Sequence, residues 1–316
     1  MPLENLNNML AKARRENYAV GAFNVYHLQD ITAVLAAAEA VRSPVILATT
    51  RAAFAHSTRE DLAAVITRRA RAAEIPVCLH LDHARDFDTI VRAIFAGYTS
   101  VMFDGSSLSL AENIQQTREV VKVAEPLNVS VEAEIGRVGR AQTQYSEEKA
   151  AESAEKSKPA KKSKQEEKLK SKSEEETEDG AVFSDPGEVE KFVEETGIDS
   201  CAIAIGSLHG MQKQEASLNL NLLEEIRKRV DIPLVLHGSS GVKESELKEI
   251  GARGIQKVNI GTRLQRVFTD EMRRVLAENK NLHDSVKVLE SAREALEKEV
   301  IHKIKVLGSS NSKARN

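Results

Sequence analysis

The chain has 316 residues, of which 41% are hydrophobic, enough to bury the core of two or three ordinary domains or of one large barrel. Its 45 Lys and Arg against 48 Asp and Glu give a net charge of -3, which excludes a globally basic nucleic-acid-binding protein. Cys78 and Cys201 lie in apolar runs, which excludes a disulfide scaffold or a cysteine zinc cluster. Without a signal peptide or a membrane-length apolar run, we expect a cytoplasmic protein that binds neither nucleic acid nor membrane.

Short apolar runs alternate with segments of helical period along most of the chain. The predicted strands cover residues 19–23, 45–49, 77–81, 100–103, 129–134, 200–205, 234–236 and 255–260. The predicted helices cover residues 28–42, 59–73, 86–96, 110–125, 186–196, 220–230 and 243–250. Eight strands alternating with helices predict an α/β fold, the (β/α)8 TIM barrel. A doubly wound sheet is the alternative, but no Gly-x-Gly-x-x-Gly follows the first strand.

One segment, residues 144–180, differs from the rest in composition. It holds nine Lys against eleven Asp and Glu, and Leu169 is its only aliphatic residue larger than Ala. Such a segment cannot bury enough apolar surface to offset the entropy of ordering it. We therefore expect one barrel domain over residues 1–316, interrupted by a disordered insertion that is either a tolerated loop expansion or an interaction arm.

Polar residues cluster where the predicted strands end, and in a barrel these C-terminal strand ends meet at one mouth. His83, His209 and His237 follow three different strands. Three neutral imidazoles with an open coordination position form a catalytic divalent-metal site, most often zinc, and we assign these histidines as its ligands. Three separately packed histidines are the alternative. Asp82, next to His83, is predicted to exchange a proton with a substrate hydroxyl, unless it only orients an imidazole.

Asp104 and Glu134 are acidic residues at the ends of adjacent predicted strands. Their carboxylates either form a second, looser metal site or balance the charge of neighbouring groups. The residues alone leave both alternatives open.

Two glycine-containing turns follow the seventh and eighth predicted strands, at residues 238–241 and 259–262. Barrels commonly bind phosphate at this point, through backbone amides and a helix N-terminus. The hydroxyls of Ser240 and Thr262 add donors. Thr50, at the end of the second strand, either reaches the same region or caps the following helix.

Five motifs occur in order along the chain. They are Asp82-His83, Glu132-Ala-Glu134-Ile-Gly136, Gly206-x-x-His209-Gly210, His237-Gly-x-Ser240-Gly241 and Asn259-Ile-x-Thr262. Together they resemble the class II, metal-dependent ketose-bisphosphate aldolases, and most closely the bacterial-type fructose- or tagatose-bisphosphate enzymes. The resemblance runs from Ala19 to Asn311, nearly the whole chain outside the insertion.

The resemblance implies reversible aldol cleavage of a ketose 1,6-bisphosphate, fructose in preference to tagatose, to dihydroxyacetone phosphate and glyceraldehyde 3-phosphate by a homodimer or homotetramer. It implies a catalytic Zn²⁺ on His83, His209 and His237, with Asp82 as the catalytic acid. A second divalent ion would lie at Asp104 and Glu134, and a monovalent cation beside the phosphate. The dihydroxyacetone-phosphate contacts would be Gly210, Gly238, Ser239, Ser240, Asn259, Ile260, Gly261 and Thr262.

The sequence departs from the family at the loop glutamate that moves a proton on the triose carbon. Gln142 stands at that position, and an amide has no basic lone pair for this task. Glu178, at the far end of the insertion, begins a Glu-Asp-Gly that resembles the family's loop and is the predicted replacement. If Glu178 does not serve, turnover should be impaired, since a general base contributes ~10²–10⁴-fold.

The role of Arg293 and the activity of the protein each have two interpretations. Arg293 either reaches the distal phosphate of the bisphosphate, across a dimer contact, or is a solvated helix-face arginine. A non-catalytic family member that binds metal and sugar phosphate is the alternative to an active aldolase. A metal-dependent amidohydrolase would need a His-x-His on the first strand, and residues 19–24 contain none.

Overall fold

The computed structural model describes residues 3–55, 57–141, 180–211, 213–214 and 216–311. Eight of its strands pair side by side in parallel and close into a barrel. They are β1 (Val20–Asn24), β2 (Val45–Thr49), β3 (Val77–Ala84), β4 (Ser100–Phe103), β5 (Ser130–Ile135), β7 (Ser200–Ile203), β9 (Leu234–Leu236) and β10 (Ile255–Ile260). The neighbour order is β1-β10-β9-β7-β5-β4-β3-β2. The predicted TIM barrel is confirmed, and two further strands, β6 (Gly139–Arg140) and β8 (Leu208–His209), form a separate ribbon.

Helices follow the barrel strands and cover the outside of the sheet. They are α1 (Leu6–Arg15), α2 (Leu28–Ala40), α3 (Arg59–Ala72), α4 (Phe87–Phe95), α5 (Leu110–Ala124), α6 (Pro186–Thr196), α7 (Leu220–Arg229), α8 (Glu244–Glu249), α9 (Thr262–Glu278) and α10 (Ser285–Val306). The seven predicted helices are all present, with ends within two residues of the predicted ones. The sequence pattern did not predict α1, α9 and α10. None of the helices described is both long and apolar enough to cross a membrane.

Helix α1 closes the N-terminal end of the barrel. Its apolar residues recur at helical spacing, and Leu6 and Leu10 are fully buried. They pack with Val20, Ile46 and Cys78, which point inward from the first three strands. Each fully buried leucine contributes roughly 1.5–3 kcal/mol relative to an exposed one. The interior is therefore closed at this end, and only the opposite mouth is left for a site.

The barrel interior changes from apolar to polar along its axis. A middle layer contains Met102, Ala202 and Val235, all completely buried. Nearer the C-terminal strand ends, the inward side chains are acidic, basic and imidazole groups. Small barrels fill their interior with layers of inward side chains in this way, so the layers below support the polar groups above them.

Candidate functional site

Three histidine rings face one another at the C-terminal mouth of the barrel. His83 lies in β3, His209 in β8, and His237 directly after β9. The ring centroids are 5.2 Å apart for His83 and His209, 4.7 Å for His83 and His237, and 5.9 Å for His209 and His237. One nitrogen from each ring lies within 4.8 Å of the other two. This spacing is close enough for the three nitrogens to share a single ion.

Strand β3 carries Asp82 and His83 to the same side, although consecutive strand residues normally point to opposite faces. The pairing of β3 with β4 changes register between Leu81 and Ala84. His83 has a φ of 53°, in the left-handed region that few non-glycine residues adopt. As a result Asp82 Oδ1 lies only 4.0 Å from His83 Nε2. The predicted strand ended at Leu81, so this bulge was outside the sequence prediction.

His209 reaches the mouth by a different route from the other two histidines. It lies beyond β7, in the ribbon formed by β6 and β8, where it pairs with Arg140. The N–H of Ala141 donates to the His209 carbonyl over 2.9 Å. Gly210 follows at a φ of 75°, in the left-handed region that favours glycine. The placement of His209 therefore depends on the loop after β5 as well as on the barrel.

The surroundings of His83 favour a positive charge. Burial lowers the pKa of His83, but the carboxylates of Asp82, Asp104 and Glu134 outweigh it and raise that pKa to about 9. Burial, together with the neighbouring His83, lowers the pKa of the other two imidazoles well below the usual value. Two neutral imidazoles beside an acidic cluster suit a divalent cation, because its nitrogen ligands must be deprotonated.

Asp104 and Glu134 lie on the far side of the His83 ring. Asp104 Oδ2 is 3.2 Å from His83 Nδ1 and 3.2 Å from Arg85 Nε. Burial raises the pKa of Asp104, but the hydrogen bond with His83, the charge of His83, the hydrogen bond with Ser106 and the charge of Arg85 together hold the pKa far below its usual value. Burial and the adjacent Asp104 raise the pKa of Glu134 to about 7. Glu134 Oε2 is buried and has no hydrogen-bond partner among the residues described, so a second cation would find a free oxygen there.

Asp82 is buried, and amide groups hold both of its oxygens. Asn24 donates to Oδ2 over 3.1 Å, and Asn259 donates to Oδ1 over 3.0 Å. Burial raises the pKa of Asp82, but the charges of His83 and His237 outweigh this and lower it. The result is an ionised carboxylate in a fixed orientation beside the three histidines. Such a group can take a proton from a hydroxyl placed against it.

The two predicted phosphate turns lie next to each other. Gly238 has a φ of 65°, and a Cβ there would come within 2.7 Å of the backbone of Leu208, so only glycine fits. The Ser239 hydroxyl donates to the carbonyl of Asn259 and ties the first turn to the second. Gly261 precedes the first residue of α9 without any side-chain cap, so no side chain occupies the helix N-terminus, where anions bind.

A cavity of about 320 Å³ adjoins these turns. Ser239, Ser240 and Ile260 line one side of it, and Arg263 of α9 and Lys303 of α10 contribute charged groups. Arg263 pairs with Glu299 at 2.9 Å, and Lys303 with Glu244 at 2.8 Å. The cavity thus lies against the predicted phosphate-binding residues and not at the three histidines.

The remaining predicted site residues are Thr50, Arg293 and Glu178. Thr50 hydrogen-bonds the hydroxyl of Tyr26. Arg293 lies on α10, and in the described part of the chain its guanidinium pairs with Glu290 and Glu297 of the same helix and with no residue of the mouth. The predicted base Glu178 and the Gln142 position fall outside the described residues, as does the insertion up to residue 179.

Three polar residues in contact with the site had no predicted role. Asn24 holds Asp82, as described above. Glu132 and Lys257 are fully buried, and Glu132 Oε1 lies 3.0 Å from His237 Nε2 and 3.0 Å from Lys257 Nζ. The available sequence signal was an ionisable residue in the middle of a predicted barrel strand, since such residues are almost never fully buried unless paired.

Comparison with known proteins identifies relatives of this chain. The family model of class II fructose-bisphosphate aldolase matches residues 4–312. The YdjI aldolase of Escherichia coli K12 is 29% identical, with 98% of each chain covered and a TM-score of 0.76. A Coccidioides immitis protein assigned as a fructose-1,6-bisphosphate aldolase is 27% identical, with 97% of each chain covered and a TM-score of 0.78.

A third structure shares the fold at lower identity. Fructose-bisphosphate aldolase (Fba) of Campylobacter jejuni is 23% identical, with a TM-score of 0.76 over 98% of this chain and 97% of that one. The family match extends over nearly the whole sequence and includes every strand of the barrel. The chain therefore belongs to the class II fructose-bisphosphate aldolase family and is an aldolase, a carbon–carbon lyase.

Proposed function

We propose that the protein catalyses the zinc-dependent, reversible cleavage of fructose 1,6-bisphosphate to dihydroxyacetone phosphate and glyceraldehyde 3-phosphate. One observation carries the proposal: nitrogens of His83, His209 and His237 converge within 4.8 Å beside the buried carboxylate of Asp82. Three neutral nitrogen donors with an open side are typical of catalytic zinc. The acidic surroundings of His83 add to the fit.

His83, His209 and His237 would hold the catalytic ion, and Asp104 and Glu134 would hold a second divalent ion. When bound, the catalytic ion supplies a Lewis acid for the ketone carbonyl of the substrate. Glu134 Oε2, which has no hydrogen-bond donor among the described residues, supports the second site, because a buried carboxylate oxygen without a donor is costly unless a cation satisfies it.

Asp82 would exchange a proton with the C4 hydroxyl of the substrate. In the cleavage direction its carboxylate accepts the proton of the C4 hydroxyl as the bond between C3 and C4 breaks and the aldehyde forms. In the condensation direction it returns that proton to the new hydroxyl. The two amide donors from Asn24 and Asn259 would keep one carboxylate orientation through both steps, which avoids reorganisation during the reaction.

The phosphate of the triose half would bind at the two turns after β9 and β10. The proposed contacts are Gly210, Gly238, Ser239, Ser240, Asn259, Ile260, Gly261 and Thr262, with a monovalent cation beside them. The uncapped start of α9 supports this assignment, since anions are stabilised at helix N-termini. Thr50 would contact the substrate from the end of β2.

Two further proposed roles, for Arg293 and Glu178, are supported by the sequence alone. Arg293 would bind the distal phosphate of a neighbouring subunit's substrate, in a homodimer or homotetramer. Glu178 would move the proton on the triose carbon, because the family's loop-glutamate position is occupied by Gln142. An arginine suits the phosphate because its planar fork binds two oxygens at once.

The test combines metal analysis with a coupled cleavage assay. Purified protein should contain about one tightly bound zinc per chain, lose activity on chelation, and regain it with added Zn²⁺. Each His→Ala change at positions 83, 209 and 237 should lose metal and activity together. The ratio of kcat/KM for fructose and tagatose 1,6-bisphosphate decides the substrate. Full activity after exhaustive chelation would exclude the proposal.

A further inference from the structure

Beneath His237 lies a chain of ionisable groups that is closed to solvent. Glu132, Lys257 and His237 each have 0% of their surface exposed. Lys257 Nζ lies 3.0 Å from Glu132 Oε1 and 2.8 Å from Oε2. The same Oε1 is 3.0 Å from His237 Nε2. One carboxylate therefore contacts both the ammonium and the imidazole.

The contacts determine which nitrogen of His237 carries the proton. Both oxygens of Glu132 lie within 3.0 Å of the Lys257 ammonium, which can only donate. The carboxylate is therefore an acceptor, and Nε2 of His237 is the N–H donor to it. Nδ1 is then left with a lone pair, and it lies 2.9 Å from His83 Nε2, among the three histidine rings. His83 is held the opposite way, because Asp104 contacts its Nδ1.

Lys257 provides the positive charge that stabilises the buried carboxylate of Glu132. The two residues project from β10 and β5, which are separated in the sheet by β9 and β7, so their contact crosses the barrel interior. A carboxylate with no exposed surface is strongly destabilising without a compensating charge. The ammonium supplies that charge and contacts both oxygens of the carboxylate.

We propose that Glu132 and Lys257 are positioning residues that commit His237 to bind the metal through Nδ1. Lys257 acts on Glu132, and Glu132 acts on His237; neither touches the substrate or the ion. The inference rests on the proposed function in one respect, that His237 is a metal ligand. Contacts of this kind behind a ligating histidine typically change metal affinity by 10- to 100-fold.

The first experiment uses the wild-type protein. Long-range ¹H–¹⁵N NMR of histidine-labelled, metal-free protein distinguishes the two imidazole tautomers, with the His237 signals identified by their loss in His237→Asn. His237 should be the Nε2–H tautomer, and addition of Zn²⁺ should perturb Nδ1 and leave Nε2 protonated. A His237 that carries its proton on Nδ1 would overturn the proposal.

The second experiment measures metal affinity in variants. Glu132→Gln should weaken the Kd for Zn²⁺ by 10- to 100-fold and shift the visible absorption bands of the Co²⁺-substituted protein, because an amide can donate to Nε2 as readily as accept. The double variant Glu132→Gln/Lys257→Met removes both buried charges. It should unfold at higher urea than Glu132→Gln alone while keeping the weak Kd.

The matched control is Thr49→Val. Thr49 is fully buried, and its hydroxyl lies 2.7 Å from the Tyr98 hydroxyl, so the change removes a buried hydrogen bond elsewhere in the barrel. It should lower stability with no change in Kd or in the Co²⁺ spectrum. A Kd within twofold of wild type for the Glu132 variants would refute the positioning role. Failure of the wild-type protein to bind any divalent ion would instead count against the proposed function.

Discussion

Replacement of Asp82 by asparagine tests the assignment of the proton-transfer group most directly. The change keeps the shape of the side chain and removes its basicity. General acid–base groups contribute ~10²–10⁴-fold, or about 3–5 kcal/mol of transition-state free energy. We expect kcat for fructose 1,6-bisphosphate cleavage to fall by this factor in a coupled assay. Zinc content should be unchanged, because Asp82 lies 4.0 Å from His83 Nε2 and is not among the three nitrogen donors.

The structure also predicts a stability cost for Asp82→Asn. Both oxygens of Asp82 accept from amide groups, of Asn24 and of Asn259, and an asparagine offers only one oxygen. One of the two contacts would therefore place two N–H donors against each other. This should lower the free energy of unfolding by about 1–3 kcal/mol, measured by urea unfolding. Asp270→Asn, the same change in an exposed ion pair with Arg273, is the control. A kcat within threefold of wild type, or zinc loss that matches the activity loss, would refute the assignment.

Three further predictions concern groups away from the histidines. Arg293→Ala should raise KM for the bisphosphate much more than for a ketose 1-phosphate; an equal change for both would remove Arg293 from the site. Glu178→Gln should lower kcat with little change in KM, and Gln142→Glu in that background should restore kcat. If Glu178→Gln causes no loss of kcat, Glu178 is not the base, and the natural protein is an aldolase with impaired proton transfer. Burial raises the pKa of Glu244, but its hydrogen bonds to Lys303 and His302 outweigh this and lower it to about 2. Stability from that carboxylate is therefore present above its unfolded pKa of 4.5 and lost as pH falls toward 2. Because 32% of the Glu244 side-chain surface is exposed, the effect should stay below about 1 kcal/mol. It should be seen as a difference between wild type and Glu244→Gln in urea unfolding at pH 6 that shrinks by pH 3 and is lost near pH 2.

The barrel and its strand ends were predictable because buried parallel strands are short, apolar and regularly spaced. The strands at residues 45–49, 100–103, 234–236 and 255–260 were predicted to the residue. Helix α9 was missed because only its Leu264 and Phe268 are buried, which leaves little apolar periodicity to detect. Helix α10 was predictable from the sequence, since Val288, Ala292, Leu296 and Val300 recur at helical spacing.

The detailed geometry of the site was beyond sequence reasoning. That Asp82 and His83 face the same side depends on a register change in one strand pair, which local sequence does not encode. The position of His209 depends on pairing between two loops distant in sequence. The contact of Glu132 with Lys257 joins residues 125 positions apart. Each of these features arises from long-range packing, where propensity and periodicity carry no information.

The left-handed backbone of His83 sets stability and catalysis in opposition at a single position. Non-glycine residues lose roughly 1–2 kcal/mol in this conformation, and glycine loses almost nothing. Random change followed by selection for thermal stability alone would therefore favour glycine at position 83, at the expense of metal binding. A variant of this protein adapted to high temperature would have to gain its stability elsewhere, for example in helix α1 at the N-terminal end of the barrel, and keep the strained histidine.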